Sequence, residues 1–276
     1  MHLIIQGDNV ETPDLKQIAK LAGATGIEQT APGVFRLSGA APADGIGALC
    51  RQAQLDHAFV PEDRRLADFR LLVMDMDSTL ITIETIDELA DLTGLKSQVA
   101  AITAQAMRGE IEYDESLRRR LALLRGLEES ALVRIYDERL KLSPGAEKLL
   151  SRVKSLGIRT LLVSGGFTQI TDRLKRRLGL DYTYANVLEI ADGKLTGGVI
   201  GRIVNADAKR DELIRVRDEL GIGRGQIVAV GDGANDLKFL AEAGVSVAYR
   251  AKPVVRDKTV HALDYAGLDG ILHLFN

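Results

Sequence analysis

Short apolar runs alternate with longer amphipathic stretches along the chain after residue 70. Four of these runs have the length and composition of buried strands, at Leu71–Met74 and at residues 158–163, 227–230 and 245–248. The stretches between them show helical periodicity. This order predicts an α/β fold with a Rossmann-like parallel sheet, whose strands are joined by right-handed crossovers.

The first 65 residues alternate on a shorter scale. Strand-like residues 3–5 and 34–37 are separated by helical patterns, one beginning at Thr12 and one spanning residues 43–55. Residues 61–65 begin with a proline and are otherwise charged, as expected of a linker, and we expect few contacts to cross this boundary. We therefore predict a small α+β domain over residues 1–65.

A long helical region interrupts the predicted sheet after its first strand. Residues 85–140 contain no proline and show an amphipathic pattern throughout, which is more chain than a simple crossover requires. We predict that residues 84–140 form a helical cap. The cap would be inserted into a core made of residues 66–83 and 141–276.

Composition places this chain among globular proteins and excludes several functional classes. Hydrophobic residues make up 46% and charged residues 27%, and the net charge of -3 gives no basic surface for nucleic acid. The single cysteine, Cys50, rules out an internal disulfide, and the four histidines show no spacing typical of a metal site. No apolar leader or membrane-length segment is present, so we expect a cytoplasmic protein that binds neither nucleic acid nor membrane.

Two acidic residues, Asp75 and Asp77, directly follow the first predicted strand. Open α/β sheets bind their ligands at the carboxyl ends of strands, and two acids there are costly unless a cation lies between them. Acids spaced in this way can offer one carboxylate oxygen and one backbone carbonyl to Mg²⁺, which leaves the second carboxyl free for proton transfer. Two solvated acids at a strand end are the alternative.

The ends of two later strands carry further candidates. Ser164, Gly165 and Gly166 precede a predicted helix, where N–H groups and the helix dipole favour a phosphoryl group, although a plain strand-to-helix turn has the same signals. Residues 231–236 (GDGAND) have aspartates where dinucleotide-binding loops have small residues. This difference favours a cation site with Asp232 as a further ligand.

The order of these motifs, with Lys209 between the last two, resembles that of the haloacid dehalogenase superfamily of phosphotransferases. Residues 75–81 (DMDSTLI), 84–90 (ETIDELA) and 116–120 (SLRRR) resemble the phosphoserine phosphatases within that superfamily. The resemblance extends from residue 70 to about residue 251. The N-terminal domain resembles the ACT-like extension of some members, which would serve regulation or association, including a homodimer formed through it.

The resemblance implies Mg²⁺-dependent hydrolysis of O-phospho-L-serine to L-serine and phosphate through an aspartyl phosphate, the last step of serine biosynthesis. Asp75 would be the nucleophile and Asp77 the general acid and base, and Mg²⁺ would be bound by Asp75, Asp77 and Asp232. The substrate-binding residues would be Glu84, Met107, Arg120, Ser164, Gly165, Lys209 and Asn235. Gly166 and Asp236 would support these groups from behind.

Helical geometry singles out one of the three consecutive arginines independently of the resemblance. The leucines at 117, 121 and 124 form one apolar stripe, and Arg120 lies at its margin, whereas the two preceding arginines lie farther round the helix. Arg120 is therefore the arginine best placed to enter a cleft. Glu84 has the alternative of being an acid that only stabilises a helix N-terminus.

Two other functions are compatible with the motifs. The aspartyl phosphate could be passed to another alcohol such as homoserine, which would make the protein a phosphotransferase. Alternatively, the N-terminal domain could sense an amino acid while the second domain only binds phosphate. Asp75 and Asp77 argue against the second alternative, because a binding protein does not need a nucleophile beside a proton donor.

Overall fold

The computed structural model describes residues 1–275 and divides by contacts into two compact units. Unit 1 comprises Met1–Leu72, Ser143–Arg159 and the chain from Ile222 onward, and unit 2 comprises Val73–Leu142 and Thr160–Gly221. The strands are β1 His2–Gln6, β2 Gly26–Ala31, β3 Val34–Ser38, β4 Asp56–Val60, β5 Leu71–Met74, β6 Arg159–Phe167, β7 Tyr182–Ala191, β8 Lys194–Ile200, β9 Ile227–Gly231, β10 Val245–Tyr249 and β11 His261–Leu263. The α-helices are α1 Thr12–Leu21, α2 Ile46–Gln52, α3 Thr85–Leu92, α4 Lys96–Met107, α5 Tyr113–Leu123, α6 Ser130–Arg134, α7 Ala146–Ser155, α8 Thr168–Leu178, α9 Ala206–Glu219, α10 Leu237–Leu240 and α11 Pro253–Arg256.

The N-terminal part of unit 1 is a four-stranded antiparallel sheet with two helices. Its strand order is β2-β3-β1-β4, and its chain order is the split βαβ arrangement. Leu3, Ile5, Ile18, Leu37 and Cys50 pack together in its apolar core. The predicted small α+β fold is therefore confirmed, and Cys50 is a core residue as its surroundings suggest.

Several hydrogen bonds join the first 65 residues to residues beyond the predicted linker, which corrects one expectation from the sequence. The Asp56 carboxylate, at the start of β4, accepts hydrogen bonds from the backbone N–H groups of residues 264–266 at 2.7, 3.1 and 2.8 Å. The Gln6 side chain donates to the carbonyl of Gly270, and Arg64 bonds to the His261 ring at 2.8 Å. The expectation that few contacts cross this region is wrong. The ACT-like assignment and the boundary at residue 65 stay predictions.

The second sheet has seven strands in the order β11-β10-β9-β5-β6-β7-β8. In unit 1, β10 pairs in parallel with both β9 and β11. In unit 2, β7 pairs in parallel with β6 and antiparallel with β8, as the hairpin partner. The predicted α/β fold is confirmed, because every residue of β5, β9 and β10 is buried, as expected for strands covered on both faces.

The region predicted as a cap, residues 84–140, contains helices α3 to α6 followed by a helical turn at residues 135–139, all within unit 2. Strand β6 continues through Ser164 to Phe167, so the helix that follows begins at Thr168. Within residues 1–275, no helix combines the length and apolar character needed to cross a membrane.

Candidate active site

A buried ion pair lies at the end of the central strand β5. The Asp75 carboxylate follows this strand directly, and its Oδ1 lies 2.6 Å from the Nζ of Lys209. The side chains of Lys209 and Asp75 are only 1% and 7% exposed, so both charges are shielded from water. Removing either partner would take away an opposite charge at 2.6 Å from the buried charge that remains. Lys209 comes from the first turn of α9, whose N-terminus is capped by the Asn205 side chain.

Asp77, two residues beyond Asp75, is held by the start of α3. Its Oδ1 accepts hydrogen bonds from the backbone N–H and hydroxyl of Thr85 at 2.9 and 2.6 Å. Burial of the carboxyl and the nearby negative charge of Glu84 nevertheless raise the pKa of Asp77 to about 7, against the opposing effects of Thr85 and Lys209. A carboxyl with this pKa can both donate and accept a proton near neutral pH.

The turn after Asp77 connects it to Glu84. Ser78 adopts a φ of 56°, an uncommon value for a residue with a side chain, and its N–H donates to the carbonyl of Ile83 at 3.2 Å. The Ser78 hydroxyl donates to Glu84 Oε1 at 2.6 Å. Glu84 caps α3 without a side-chain bond to the helix and is exposed. Its carboxylate is therefore oriented by Ser78 and accessible to a ligand.

The Ser-Gly-Gly segment at the end of β6 faces the same carboxyl group. The buried Ser164 hydroxyl lies 3.5 Å from Asp77 Oδ2 and accepts a hydrogen bond from Gly166 N–H at 2.8 Å. A β-carbon on Gly165 would collide with the Tyr113 hydroxyl, and one on Gly166 would lie 2.8 Å from Asp77 Oδ2. Both glycines are therefore required by close packing around the site.

Helix α5 presents only the third of its three arginines to the interior. The leucines at 117, 121 and 124 are each at most 2% exposed, which confirms the predicted stripe. Arg120 is half-buried and its Nε donates to the carbonyl of Ser116, whereas Arg118 and Arg119 are exposed. In contrast, Met107 ends α4 with 66% of its surface exposed. Its assignment to substrate binding stays a prediction.

In unit 1, the loop that follows β9 is organised by Asp236. This fully buried carboxylate accepts hydrogen bonds through Oδ2 from the N–H groups of Asp232 and Gly233 at 3.1 and 3.0 Å. A β-carbon on Gly231 would lie 2.6 Å from the same oxygen. Asn235 is half-buried and lies in the short helical turn formed by residues 234–236. Asp236 therefore holds the loop shape, as the predicted supporting residue would.

Asp75, Asp232 and Asp236 could each offer a carboxylate oxygen to a metal ion. Asp75 and Asp236 are buried, and a cation would stabilise the negative charge of such groups. An all-oxygen donor set suits a hard divalent ion such as Mg²⁺. The sequence predicted Asp75, Asp77 and Asp232 as the metal ligands. Asp77 is not among the three carboxylates found, because it is expected to offer its backbone carbonyl, and Asp236 is the third carboxylate instead.

Sequence reasoning missed several polar residues that support the site in unit 2. Thr85 fixes Asp77, and Tyr113 lies against Gly165, with burial raising the pKa of the Tyr113 hydroxyl. Asn186 on β7 donates to the carbonyl of Gly165 at 2.7 Å and accepts from the N–H of Val204. These residues lie far apart in sequence and follow no local motif, so only the tertiary structure identifies them.

Comparisons with known proteins agree with this geometry. A family model described as haloacid dehalogenase-like hydrolase matches residues 69–244, and one described as a domain of unknown function matches residues 3–46. A phosphoserine phosphatase from a Polaromonas species is 51% identical over 217 residues, which cover 77% of this chain and 92% of that protein.

Two solved structures are similar in fold. A HAD family hydrolase from Salmonella enterica serovar Typhi has a TM-score of 0.89 and 33% identity, covering 100% of this chain and 99% of that one. A phospho-aspartyl intermediate analogue of a phosphoserine phosphatase has a TM-score of 0.71 and 38% identity, covering 75% of this chain and 99% of that one. The resemblance in the motifs is thus confirmed, and the chain belongs to the phosphoserine phosphatases of the haloacid dehalogenase-like hydrolase family.

Proposed function

We propose that this chain hydrolyses O-phospho-L-serine to L-serine and phosphate, the last step of serine biosynthesis, through an aspartyl phosphate on Asp75. The observation that carries the proposal is a buried carboxylate held by Lys209 beside a second carboxyl, Asp77, with a pKa of about 7. The first has the charge of a nucleophile, and the second has the pKa of a proton donor. The names of the Polaromonas relative and of the analogue structure support the same reaction.

In the first step, an Asp75 oxygen attacks phosphorus and the bond from phosphorus to the serine oxygen breaks. Asp77 donates a proton to that departing oxygen. Thr85 occupies Asp77 Oδ1, so Oδ2 is the oxygen that carries the transferable proton. Lys209, which neutralises Asp75 before the reaction, offsets the charge that develops on the phosphoryl oxygens.

In the second step, a water molecule attacks the aspartyl phosphate and gives its proton to the Asp77 carboxylate. Phosphate leaves, the Asp75 carboxylate is restored, and Asp77 is protonated again, so protons balance over the cycle. The Ser164 hydroxyl accepts a hydrogen bond from Gly166 and donates a long one, of 3.5 Å, to Asp77 Oδ2, so its proton would turn from Asp77 to a phosphoryl oxygen. The N–H of Gly165 would bind a second phosphoryl oxygen.

Asp75 and Asp232, with the backbone carbonyl of Asp77, would hold Mg²⁺ at this site. When bound, the ion supplies positive charge that lowers the repulsion between the attacking carboxylate and the phosphate. Asp236 would keep the Asp232 loop in place through its two backbone hydrogen bonds.

Selectivity for phosphoserine requires groups for its ammonium and its carboxylate. We assign the ammonium to the exposed carboxylate of Glu84 and the carboxylate to the guanidinium of Arg120, whose Nε bonds only within its own helix. Met107 and Asn235 would complete the pocket. The N-terminal domain would act in regulation or association, including a homodimer.

The test is phosphate release from phosphoserine, phosphothreonine and sugar phosphates, each with Mg²⁺ and with a chelator. We expect fast, Mg²⁺-dependent release from phosphoserine and slow release from the others. A parallel assay with added alcohols such as homoserine measures transfer of the phosphoryl group. Release that is equal for all esters, or transfer that exceeds hydrolysis, would contradict the proposed function.

A further inference from the structure

A cavity distinct from the candidate active site lies entirely within unit 1, and none of the residues assigned to catalysis lines it. It has a volume of about 250 Å³ and is lined by β4 and β11, together with residues from α2, α11 and the loop after β11. Pockets for drug-sized ligands are typically about 300–1,000 Å³, so this cavity suits a smaller molecule. It joins the N-terminal segment to the last strand of the larger sheet.

Two arginines, two histidines and two aspartates line this cavity. Arg51 and Arg256 line it beside His57 and His261, and Arg64 bonds to Nε2 of His261 at 2.8 Å. Burial and the charges of Arg51 and Arg256 lower the pKa of His57, and burial, Arg64 and His57 lower that of His261 to about 4. Arg51 therefore lies close to an imidazole, that of His57, whose neutral form is favoured.

The acids that line the cavity are engaged elsewhere. Among the described lining residues these are Asp56 and Asp264. Asp56 accepts three backbone N–H groups, and Asp264 forms an ion pair with Arg256 at 2.7 Å. Within residues 1–275, the guanidinium of Arg51 forms no hydrogen bond or ion pair. Of the charged groups that line the cavity, Arg51 is thus the one whose side chain has no partner among residues 1–275.

We propose that this cavity is a binding site for a small oxyanion, a carboxylate or a phosphate. The fork of the Arg51 guanidinium offers paired donors to two oxygens of such a group, and Arg256 lies beside it. The imidazoles of His57 and His261 take up protons as the anion enters, because a negative charge favours their charged form. The bound anion would connect β4 to β11, and so the N-terminal segment to the rest of unit 1.

Histidine NMR on the full-length protein tests this proposal. The chain has four histidines, two of which, His57 and His261, line the cavity, and none of the four is among the residues assigned to catalysis. Inorganic phosphate and acetate are each titrated at constant ionic strength, with sodium chloride as the control. We expect the ring signals of His57 and His261 to shift and their pKa values to rise, while those of His2 and His273 stay unchanged.

Arg51→Gln is the informative variant, because Arg51 is exposed and its replacement should not disturb folding. It should weaken the anion response at least about tenfold, as expected for loss of a charge-assisted hydrogen bond. Arg65→Gln is the matched control, since Arg65 is exposed, pairs with Asp68 and lies outside the cavity. Its titration should equal that of the wild type.

A response to phosphate alone, to acetate alone or to both would identify the anion and support the site. No shift of His57 and His261 with either anion would overturn the proposal. Equal responses in Arg51→Gln and the wild type would overturn it as well. Phosphatase activity does not enter this measurement, so the result is independent of the proposed function.

Discussion

In unit 2, the charges of Asp75 and Lys209 are opposite, buried and 2.6 Å apart, whereas the cavity between β4 and β11 in unit 1 places arginines against histidines. Each arrangement departs from ordinary solvated charges in its own way. In the ion pair the two charges balance each other. During the proposed reaction, the phosphoryl group replaces the Asp75 carboxylate as the negative partner of Lys209. The cavity is incomplete and gains stability when an anion enters.

The difference shows that the partners of a charged group indicate its function. The buried carboxylate of Asp56 accepts three backbone N–H groups and so holds residues 264–266 in place. A buried carboxylate paired with a lysine, such as Asp75, keeps its negative charge and with it the character of a nucleophile. A cation with no acidic partner, such as Arg51, is instead suited to binding.

Removing the Asp75 charge should have the largest effect, because it breaks the opposite-charge arrangement in unit 2. Asp75→Asn should lower kcat for phosphoserine by at least about 10³-fold, since an amide cannot form the aspartyl phosphate. It should also lower the free energy of unfolding, because the buried Lys209 loses the carboxylate that lies 2.6 Å from its ammonium. Steady-state kinetics and urea unfolding measure the two effects.

A double variant separates them. Asp75→Asn combined with Lys209→Met also removes the ammonium that faced Asp75, while keeping a side chain of similar length. It should recover part of the lost stability and none of the activity. Near wild-type phosphate release by Asp75→Asn would rule out the aspartyl phosphate.

Replacing Asp77 should lower kcat by about 10²–10⁴-fold, the usual contribution of a positioned proton donor. Its pKa of about 7 predicts that kcat/KM of the wild type falls as the pH rises through that value. The folded carboxyl is protonated up to about pH 7, whereas the unfolded one is protonated only below about pH 4. Its contribution to stability is therefore complete below pH 4 and is lost as the pH rises through 7.

Urea unfolding of the metal-free protein at pH 5 and pH 8 measures this effect. The wild type should lose more stability between these pH values than Asp77→Asn, which has no proton to lose. Equal losses in the two proteins would show that Asp77 has an ordinary pKa.

The next largest effect concerns the choice of substrate. Arg120→Ala should raise KM for phosphoserine about 10- to 100-fold, because it loses a charge-assisted pair worth about 1.5–3 kcal/mol. KM for a phosphate ester without amino or carboxyl groups should hardly change. Glu84→Ala should act in the same way through the ammonium.

The neighbouring arginine provides the control for Arg120. Arg119 is exposed and pairs with Glu115, so Arg119→Ala should leave KM for both substrates unchanged. If Arg120→Ala raised KM equally for both esters, Arg120 would support the helix and not bind the carboxylate.

The smallest effect is the acid sensitivity of the cavity in unit 1. His261 has a folded pKa of about 4, below the 6.5 of a free imidazole, so its contribution to stability is present above pH 6.5 and is lost as the pH falls through 4. By pH 5 the wild type should have lost about 2 kcal/mol through this group. His261→Gln should not show this loss in urea unfolding.

Unfolding at pH 7.5, where the histidine is neutral, gives the cost of the substitution apart from its charge. Saturating phosphate should reduce the acid loss of the wild type if the cavity binds the anion. An identical pH dependence in wild type and His261→Gln would contradict the low pKa of this residue.

The strands that carry the chemistry could be predicted in their order along the chain, because each contains a short run of mainly apolar residues. Strand β2 could not, since its residues are nearly all exposed and show no alternation. Strand β4 begins with a buried aspartate, and β11 with a buried histidine, so both lack the apolar signature of a strand. These two polar residues, Asp56 and His261, interrupt the apolar pattern of their strands, and they also form hydrogen bonds that join the N-terminal segment to the rest of unit 1.

The sequence by itself determined the α/β fold, the family and the residues at the strand ends, because strands and motifs are recorded in local spacing. It also identified Arg120, since helical periodicity decides which residues share one face. Only the tertiary structure decided that Lys209 pairs with Asp75 and that Thr85 restrains Asp77. Only the tertiary structure placed Arg51 near His57 and His261 as well. Such contacts depend on distances between residues far apart in the chain, and burial then sets their pKa values and free energies.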